Sequence, residues 1–299
     1  MKKSKQRIPS SLSKSSEWRK ILAFYRYLKP GLRLMRLPLV GPILQKRFIP
    51  KDRDANWFLP APPAVPTGIK IPVGQAIPAS RQQALPEIVV ARLLQEAGGI
   101  FAMSACPCRA AFHCKDHPWD LGCLHLGPAT YGIPAALGKR LTREEGLAHL
   151  ERAVAGGLIP TILYIPSEAE IFRVSPTRML SICFCCECCC DVRLMLRTGP
   201  DRYWDLYNHR LPGLQVTVSS ACTRCGACVQ ACYGGERVIS IGQVRAEIGD
   251  RCIGCGRCVT ACPQGAIHMA FDPQVDWLQA LLERVRKRTE IRADPWPKP

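Results

Sequence analysis

The sequence predicts an α+β chain in which a small, cysteine-braced C-terminal unit follows a larger upstream domain. Three observations carry that expectation. Cys222, Cys225, Cys228 and Cys232 stand in a Cys-x-x-Cys-x-x-Cys-x-x-x-Cys pattern, and the same pattern returns at Cys252, Cys255, Cys258 and Cys262. Upstream, stretches of helical period alternate with short apolar runs. The first eighty residues differ from both parts in being basic and rich in proline. These shifts divide the chain into an arm and connector over 1–80, a cysteine-rich, mainly helical α+β domain over 81–199, a linker over 200–214, the small unit over 215–271, and an amphipathic helix and tail over 272–299.

The arm carries most of the charge. The formal net charge of the 299 residues is +17, and fifteen Lys and Arg against three acidic residues lie between Met1 and Pro60. Between Trp18 and Phe58 basic residues mix with Tyr25, Tyr27, Leu34, Leu37, Leu39, Ile43, Leu44, Phe48 and Trp57, which predicts short helices interrupted at Pro30, Pro38, Pro42 and Pro50. Such a segment packs on the protein's own domains or a partner subunit, lies on an anionic membrane surface, or contacts nucleic acid, in decreasing order of expectation. The proline density from Pro60 to Pro78 reads as an extended connector. No apolar window approaches the length of a membrane span. No secretory signal pattern is seen, and thiols intended for metal need a reducing compartment, so the expected location is cytoplasmic, with a peripheral contact at the inner face of the membrane through the arm.

Order resumes at Pro86, where Val90, Leu93, Leu94 and Ala97 recur at helical spacing and Gly98-Gly99 supplies a stop. Ile100 to Met103 reads as a short buried strand leading to Cys106-Pro107-Cys108-Arg109. Thr142 and Glu145 form a capping box ahead of a helix whose inner face is Leu147, Leu150 and Val154. Leu158 to Ile165 reads as a strand, and Pro160 suggests an edge or entry position for it. Tyr203, Trp204 and Tyr207 mark the linker. A last helix is expected from Asp272-Pro273, with Val275, Leu278, Leu282 and Val285 as its stripe and basic residues at its end.

Ten cysteines precede the small unit: Cys106, Cys108, Cys114 and Cys123, then Cys183, Cys185, Cys186, Cys188, Cys189 and Cys190. Inert buried thiols are common singly, but packing does not call for six in one octet. The four spaced cysteines are the preferred ligands of a third centre, and the octet supplies candidate further ligands, enough in all for one or two additional iron-sulfur clusters. Arg109 either hydrogen-bonds a thiolate or lies on the surface. His113, His117 and His125 sit among these cysteines, where satisfaction by a neighbouring carbonyl is commoner than ligation of iron.

In the C-terminal unit, cysteines three apart can wrap three corners of a four-iron cube, and the fourth ligand must come from elsewhere. Gly226 and Gly256 each follow the second cysteine of a run, where positive φ is available at no steric cost. Ile239 and Ile267 are candidates for the apolar shell. Zinc is the rival metal, but its sites more often pair two Cys-x-x-Cys hooks across a long gap.

The spacing, with Pro263 after Cys262, closely resembles the two-cluster ferredoxins. That resemblance implies a (βαβ)2 fold, two [4Fe-4S] clusters and crossed fourth ligands: Cys222, Cys225, Cys228 and Cys262 for one cluster, Cys252, Cys255, Cys258 and Cys232 for the other. The first run departs from the pattern, with Tyr233 in place of proline and a longer exit at Gly234-Gly235-Glu236, so its cluster is expected to be the less constrained. More widely, Pro86 to Phe271 resembles a family of bacterial and archaeal iron-sulfur proteins, through Cys106-Pro107-Cys108-Arg109 and Cys185-Cys186-Glu187-Cys188-Cys189-Cys190. The resemblance implies a ferredoxin-type protein; two cubes held side by side form a one-electron relay, so the expected function is an electron carrier serving a flavoprotein or an oxidoreductase complex. An oxidoreductase with a catalytic centre in the upstream cysteines is the alternative, and a cluster-braced scaffold or sensor the third reading. A nucleotide-binding Gly-x-Gly-x-x-Gly and a radical-type Cys-x-x-x-Cys-x-x-Cys are both absent from the sequence.

Overall fold

The computed structural model of the chain describes residue 12 and residues 14–49, 56–60, 85–207 and 210–292; the break expected at Pro50 and most of the proline-rich connector lie outside them. The arm contains α1 (Ser16–Leu34), capped by the Ser15 hydroxyl, which accepts from the Trp18 N–H at 3.3 Å. The expected break at Pro30 does not occur: the proline lies inside α1. It removes one helical hydrogen bond, and the last turn is held instead by Leu32 and Met35, which pack with Ile49 and Tyr203. The second helix, α2 (Gly41–Phe48), has Pro42 in its first turn, where the missing donor costs nothing.

The upstream domain is built on a sheet. The arm returns as β1 (Asn56–Phe58), then α3 (Leu85–Glu96) leads to β2 (Ile100–Met103), α4 (Pro107–Ala111), β3 (Leu124–Leu126) and β4 (Gly138–Arg140). There follow α5 (Arg143–Ala155), β5 (Ile159–Leu163), α6 (Pro166–Phe172), β6 (Leu180–Cys185) and α7 (Asp191–Thr198). The six strands form one antiparallel sheet in the order β1-β5-β6-β3-β2-β4. Helical residues outnumber strand residues in this domain, as expected, but most of the sheet was not legible because its strands run only three to six residues, too short to display a period.

Of the two positions expected for Pro160, edge or entry, the structure has the entry: it is the second residue of an interior strand. Strand β5 lies between β6 and β1, and the Pro160 carbonyl accepts from the Leu59 N–H at 2.9 Å. The ladder with β1 ends there, so the missing proline donor forfeits only the last bond. The capping box of α5 is complete, with Thr142 and Glu145 bonding reciprocally at 3.2 and 2.9 Å. Leu150 and Ala153 are buried beneath it.

Residues 200–214 include α8 (Trp204–Tyr207), in which Trp204 and Tyr207 are buried, as is the neighbouring Tyr203. The C-terminal unit then runs through β7 (Leu214–Val218), α9 (Ala227–Ala231), β8 (Ile239–Ile241), β9 (Ala246–Ile248), α10 (Arg257–Ala261) and β10 (Ile267–Phe271). Strand β7 pairs with β10 and β8 with β9, both antiparallel, while α9 packs on α10. Each half is thus strand, cysteine loop, short helix, strand, and the outer strands of the two halves close on each other. The last helix, α11 (Trp277–Arg286), starts later than expected, because Asp276, whose carboxylate accepts from the Gln279 N–H at 3.1 Å, is the cap. Val275 precedes the helix, and the buried face is Trp277, Leu278, Leu281, Leu282 and Val285.

One apolar core runs from Trp57 and Phe58 on the sheet through Trp204 and Tyr233 to Ile239, Phe271 and Trp277. Among the described residues no helix is long and apolar enough to cross a membrane.

Candidate metal centres

The two cysteine loops of the C-terminal unit have the same local form. Gly226 and Gly256 cap α9 and α10 in left-handed backbone, with φ of 78° and 79°. A side chain there would be strained. The bend turns each loop so that its three cysteines line one cavity. The first cavity is lined by Cys222, Cys225 and Cys228, with Cys262 from the other run and Ile267. The second is lined by Cys252, Cys255 and Cys258, with Cys232 from the other run, and by Val216, Ile239 and Met269. Each cavity therefore takes three thiols from one loop and one from the other. The Ala246 N–H donates to the Cys222 sulfur at 3.4 Å and the Ala266 N–H to that of Cys262 at 3.3 Å. Four convergent sulfurs with amide donors beside them are a donor set that fits an iron-sulfur cube. In the second cavity all four cysteines are buried; in the first Cys225 is exposed and Cys222 and Cys262 half-buried.

Residues 248–268 match the 4Fe-4S binding domain. The matched 4Fe-4S binding segment holds Cys252, Cys255, Cys258 and Cys262, so the chain is an iron-sulfur protein through its second run. The first run, with its longer exit, lies outside the match. No curated protein and no solved structure matches the chain.

Tyr233, which follows Cys232 where proline was expected, is fully buried. Its ring lies 5.3 Å from that of Phe58, and its hydroxyl donates to the Cys186 carbonyl at 3.3 Å. Arg257, beside Cys258, pairs with Glu187 at 2.9 Å and donates to the Gly157 carbonyl at 2.8 Å. Two residues adjoining cysteines of the second cavity thus grip the cysteine octet.

The ten upstream cysteines fall into two groups, neither of which is the set Cys106, Cys108, Cys114 and Cys123. In the first group Cys114, just past α4, meets Cys186, Cys188 and Cys189 in the turn between β6 and α7, all four sulfurs lying within 4.8 Å of one another. Cys114 and Cys188 are 3.3 Å apart, Cys186 and Cys188 3.6 Å. The other group lines a cavity of about 210 Å³: Cys106, Cys108, Cys123, Cys183, Cys185 and Cys190, with Cys186 at the boundary. Cys183 and Cys185 are two apart on β6 and so share a face. The Cys123 and Cys183 sulfurs are 3.1 Å apart. Helix α1 contributes Ile21, Phe24, Tyr25 and Leu28 to the same cavity.

The cavity also contains titratable groups under strong burial. The Cys108 thiol donates to Asp191 at 3.2 Å. The proximity of Cys106 and Cys108 draws the Cys106 thiol down to about 7 and, together with burial, pushes the Cys108 thiol up. Burial raises the Glu168 carboxyl to about 7, although Ser181 donates to it at 2.9 Å. Outside the cavity lining, burial keeps His125 neutral, lowering its pKa to about 3, with Nδ1 3.0 Å from the Ser181 hydroxyl. Cys106 and Glu168 thus line one cavity with their pKa values drawn towards each other, a combination able to bind a small polar molecule.

Arg109 is not a surface residue. Its side chain is buried and donates to the Phe184 carbonyl at 2.7 Å and to that of Leu121. Burial opposes its charge, but the thiols of Cys106, Cys186 and Cys123 around it hold it protonated. His117 bridges Glu187 at 3.0 Å and the Gly156 carbonyl at 3.2 Å, with its pKa raised chiefly by Glu187. The signal that sequence reading missed lay in Glu187, a charged residue inside the cysteine octet, which joins His117 to Arg257.

Proposed function

We propose that the chain is an electron carrier of the two-cluster ferredoxin type, holding two four-iron cubes on crossed ligand sets and passing single electrons between redox partners. The observation that carries this reading is that each C-terminal cavity is lined by three cysteines of one run and the fourth of the other. A cube bound in such a site exchanges one electron with little reorganisation. The residues of the chain supply the rest. Cys222, Cys225, Cys228 and Cys262 hold one site, and Cys252, Cys255, Cys258 and Cys232 the other. Val216, Ile239, Ile267 and Met269 keep water off, and Ala246 and Ala266 offset thiolate charge through N–H···S bonds. Exposed Cys225 makes the first site the edge that a flavoprotein or an oxidoreductase complex reaches, while the second faces the upstream domain. The arm supports an additional contact. Leu39 and Ile43 are exposed at 87% and 70% among Arg33, Arg36 and Lys46, a combination suited to an anionic lipid surface.

Anaerobically purified protein is expected to contain about eight irons and eight acid-labile sulfides in these two sites, reversibly reducible by electron paramagnetic resonance. Cys255→Ser should remove one cluster signal and roughly half of that sulfide. Protein without acid-labile sulfide, or a variant with the full complement, would falsify the crossed two-cluster reading.

A further inference from the structure

The group formed by Cys114, Cys186, Cys188 and Cys189 belongs to neither C-terminal cavity, and its dimensions decide what it can hold. A single ion bound by four thiolates at about 2.3 Å in tetrahedral geometry places its sulfurs about 3.8 Å apart. The sulfurs here lie within 4.8 Å of one another, with two separations of 3.3 and 3.6 Å. A cube carries its cysteine sulfurs outside four iron corners, one ligand per iron, and so holds them farther apart than this group permits. We infer that these four cysteines form a mononuclear site for a thiophilic divalent ion, zinc or ferrous iron, distinct from the cubes.

Three further features agree. The donors are all sulfur, which selects against hard cations. The Cys189 N–H donates to the Cys186 sulfur at 3.3 Å, and buried Arg109 stands nearby, so part of the charge of four thiolates is offset. The ligands also come from two distant parts of the chain, Cys114 after α4 and the other three after β6, so an ion would pin them together. The ligand turn is the one that Tyr233 and Arg257 grip from the C-terminal unit. Its role is a staple: it fixes the surface on which the second cube site docks.

The site shares no ligand with the cubes, so it stands or falls separately from the electron-carrier reading. The test is zinc, iron and acid-labile sulfide quantitation on the anaerobic full-length protein and on a Cys188→Ala/Cys189→Ala variant. The wild type should carry about one equivalent of metal beyond the iron matched by sulfide, either as zinc or as iron with a mononuclear high-spin ferric signal after oxidation. Protein made in cobalt-supplemented medium should show the bands of a tetrahedral tetrathiolate. The variant should lose that equivalent and those bands with sulfide unchanged. Iron and sulfide lost together from a variant that keeps its native circular dichroism, or metal content unaltered by the substitutions, overturns the proposal. If the variant fails to fold, the wild type decides: iron equal to sulfide, no zinc and no tetrahedral cobalt spectrum sink it. One retained ion in a protein lacking sulfide would instead leave this site standing and remove the cubes.

Discussion

Glu168 shows how a single residue ties the cavity to the stability of the fold. Its carboxyl sits behind Ser181 and 3.8 Å from His125, and burial raises it from 4.5 to about 7. The folded state therefore keeps a proton that the unfolded chain has released, across the window from about pH 4.5 to pH 7. A raised pKa contributes stability that is fully present below the unfolded value and is lost as pH rises through the folded one. The loss amounts to about 3 kcal/mol by pH 8. His125 acts oppositely, since it is held neutral by burial and costs stability as pH falls below about 6.5. Glu168→Gln keeps the shape and removes only the first effect. Unfolding midpoints of the two proteins should coincide near pH 4, below the unfolded value, and the variant should be the more stable at pH 8. An equal difference at both pH values would show that Glu168 is already ionised in the fold. The place of Glu168 in the cavity could not be read from the sequence, because its burial depends on β6, α6 and α1 meeting there.

At the scale of elements, what was legible was what is enforced locally. The cysteine loops were readable because ligand spacing and a left-handed glycine fix a few consecutive residues, and the α5 capping box because it spans three. The pairing of Cys114 with Cys186, Cys188 and Cys189 was not, since it spans some seventy residues and follows from the antiparallel order of β3 and β6. Nor was β1, whose strand character comes only from the neighbour it meets. The arm shows both limits. Trp18, Ile21 and Leu32 were legible as apolar but not as buried, and they pack down while Phe24, Tyr27, Leu39 and Ile43 remain exposed by half or more. Leu39→Asp/Ile43→Asp removes the exposed apolar pair without touching the face that roofs the cavity. Co-flotation with vesicles containing anionic phospholipid should fall at least several-fold, because two apolar anchors are lost and two repulsive charges gained. Undiminished flotation, or none by the wild type, would assign the exposed residues to a protein partner instead.

For the whole molecule the decisive fact is that the apolar core does not stop between the upstream sheet and the C-terminal unit. The change in composition at Gly199-Pro200 suggested a linker, yet Tyr203, Trp204 and Tyr207 are buried there, and Arg237 spans the junction, donating to the Leu196 and Gly199 carbonyls at 2.8 and 3.0 Å. Arg197 reaches the other way, to the Cys232 carbonyl at 3.0 Å. A boundary read from composition thus marks a change of chemistry, from thiol-rich sheet to cysteine loops, rather than a gap in packing. Parts that share a core lose it together, so local opening of either half should expose surface of the other. Under denaturant, loss of cluster absorbance reports the C-terminal unit, while emission of Trp18 and Trp57, with the other tryptophans replaced by phenylalanine, reports the arm and sheet. Both signals are expected to decay with one rate constant, because no intermediate can keep the sheet's core after Tyr233, Ile239 and Phe271 have left it. Should the cluster signal vanish well before the tryptophan change, the two parts would be separately stable, and Tyr233 and Arg257 would be contacts between finished domains rather than members of one fold.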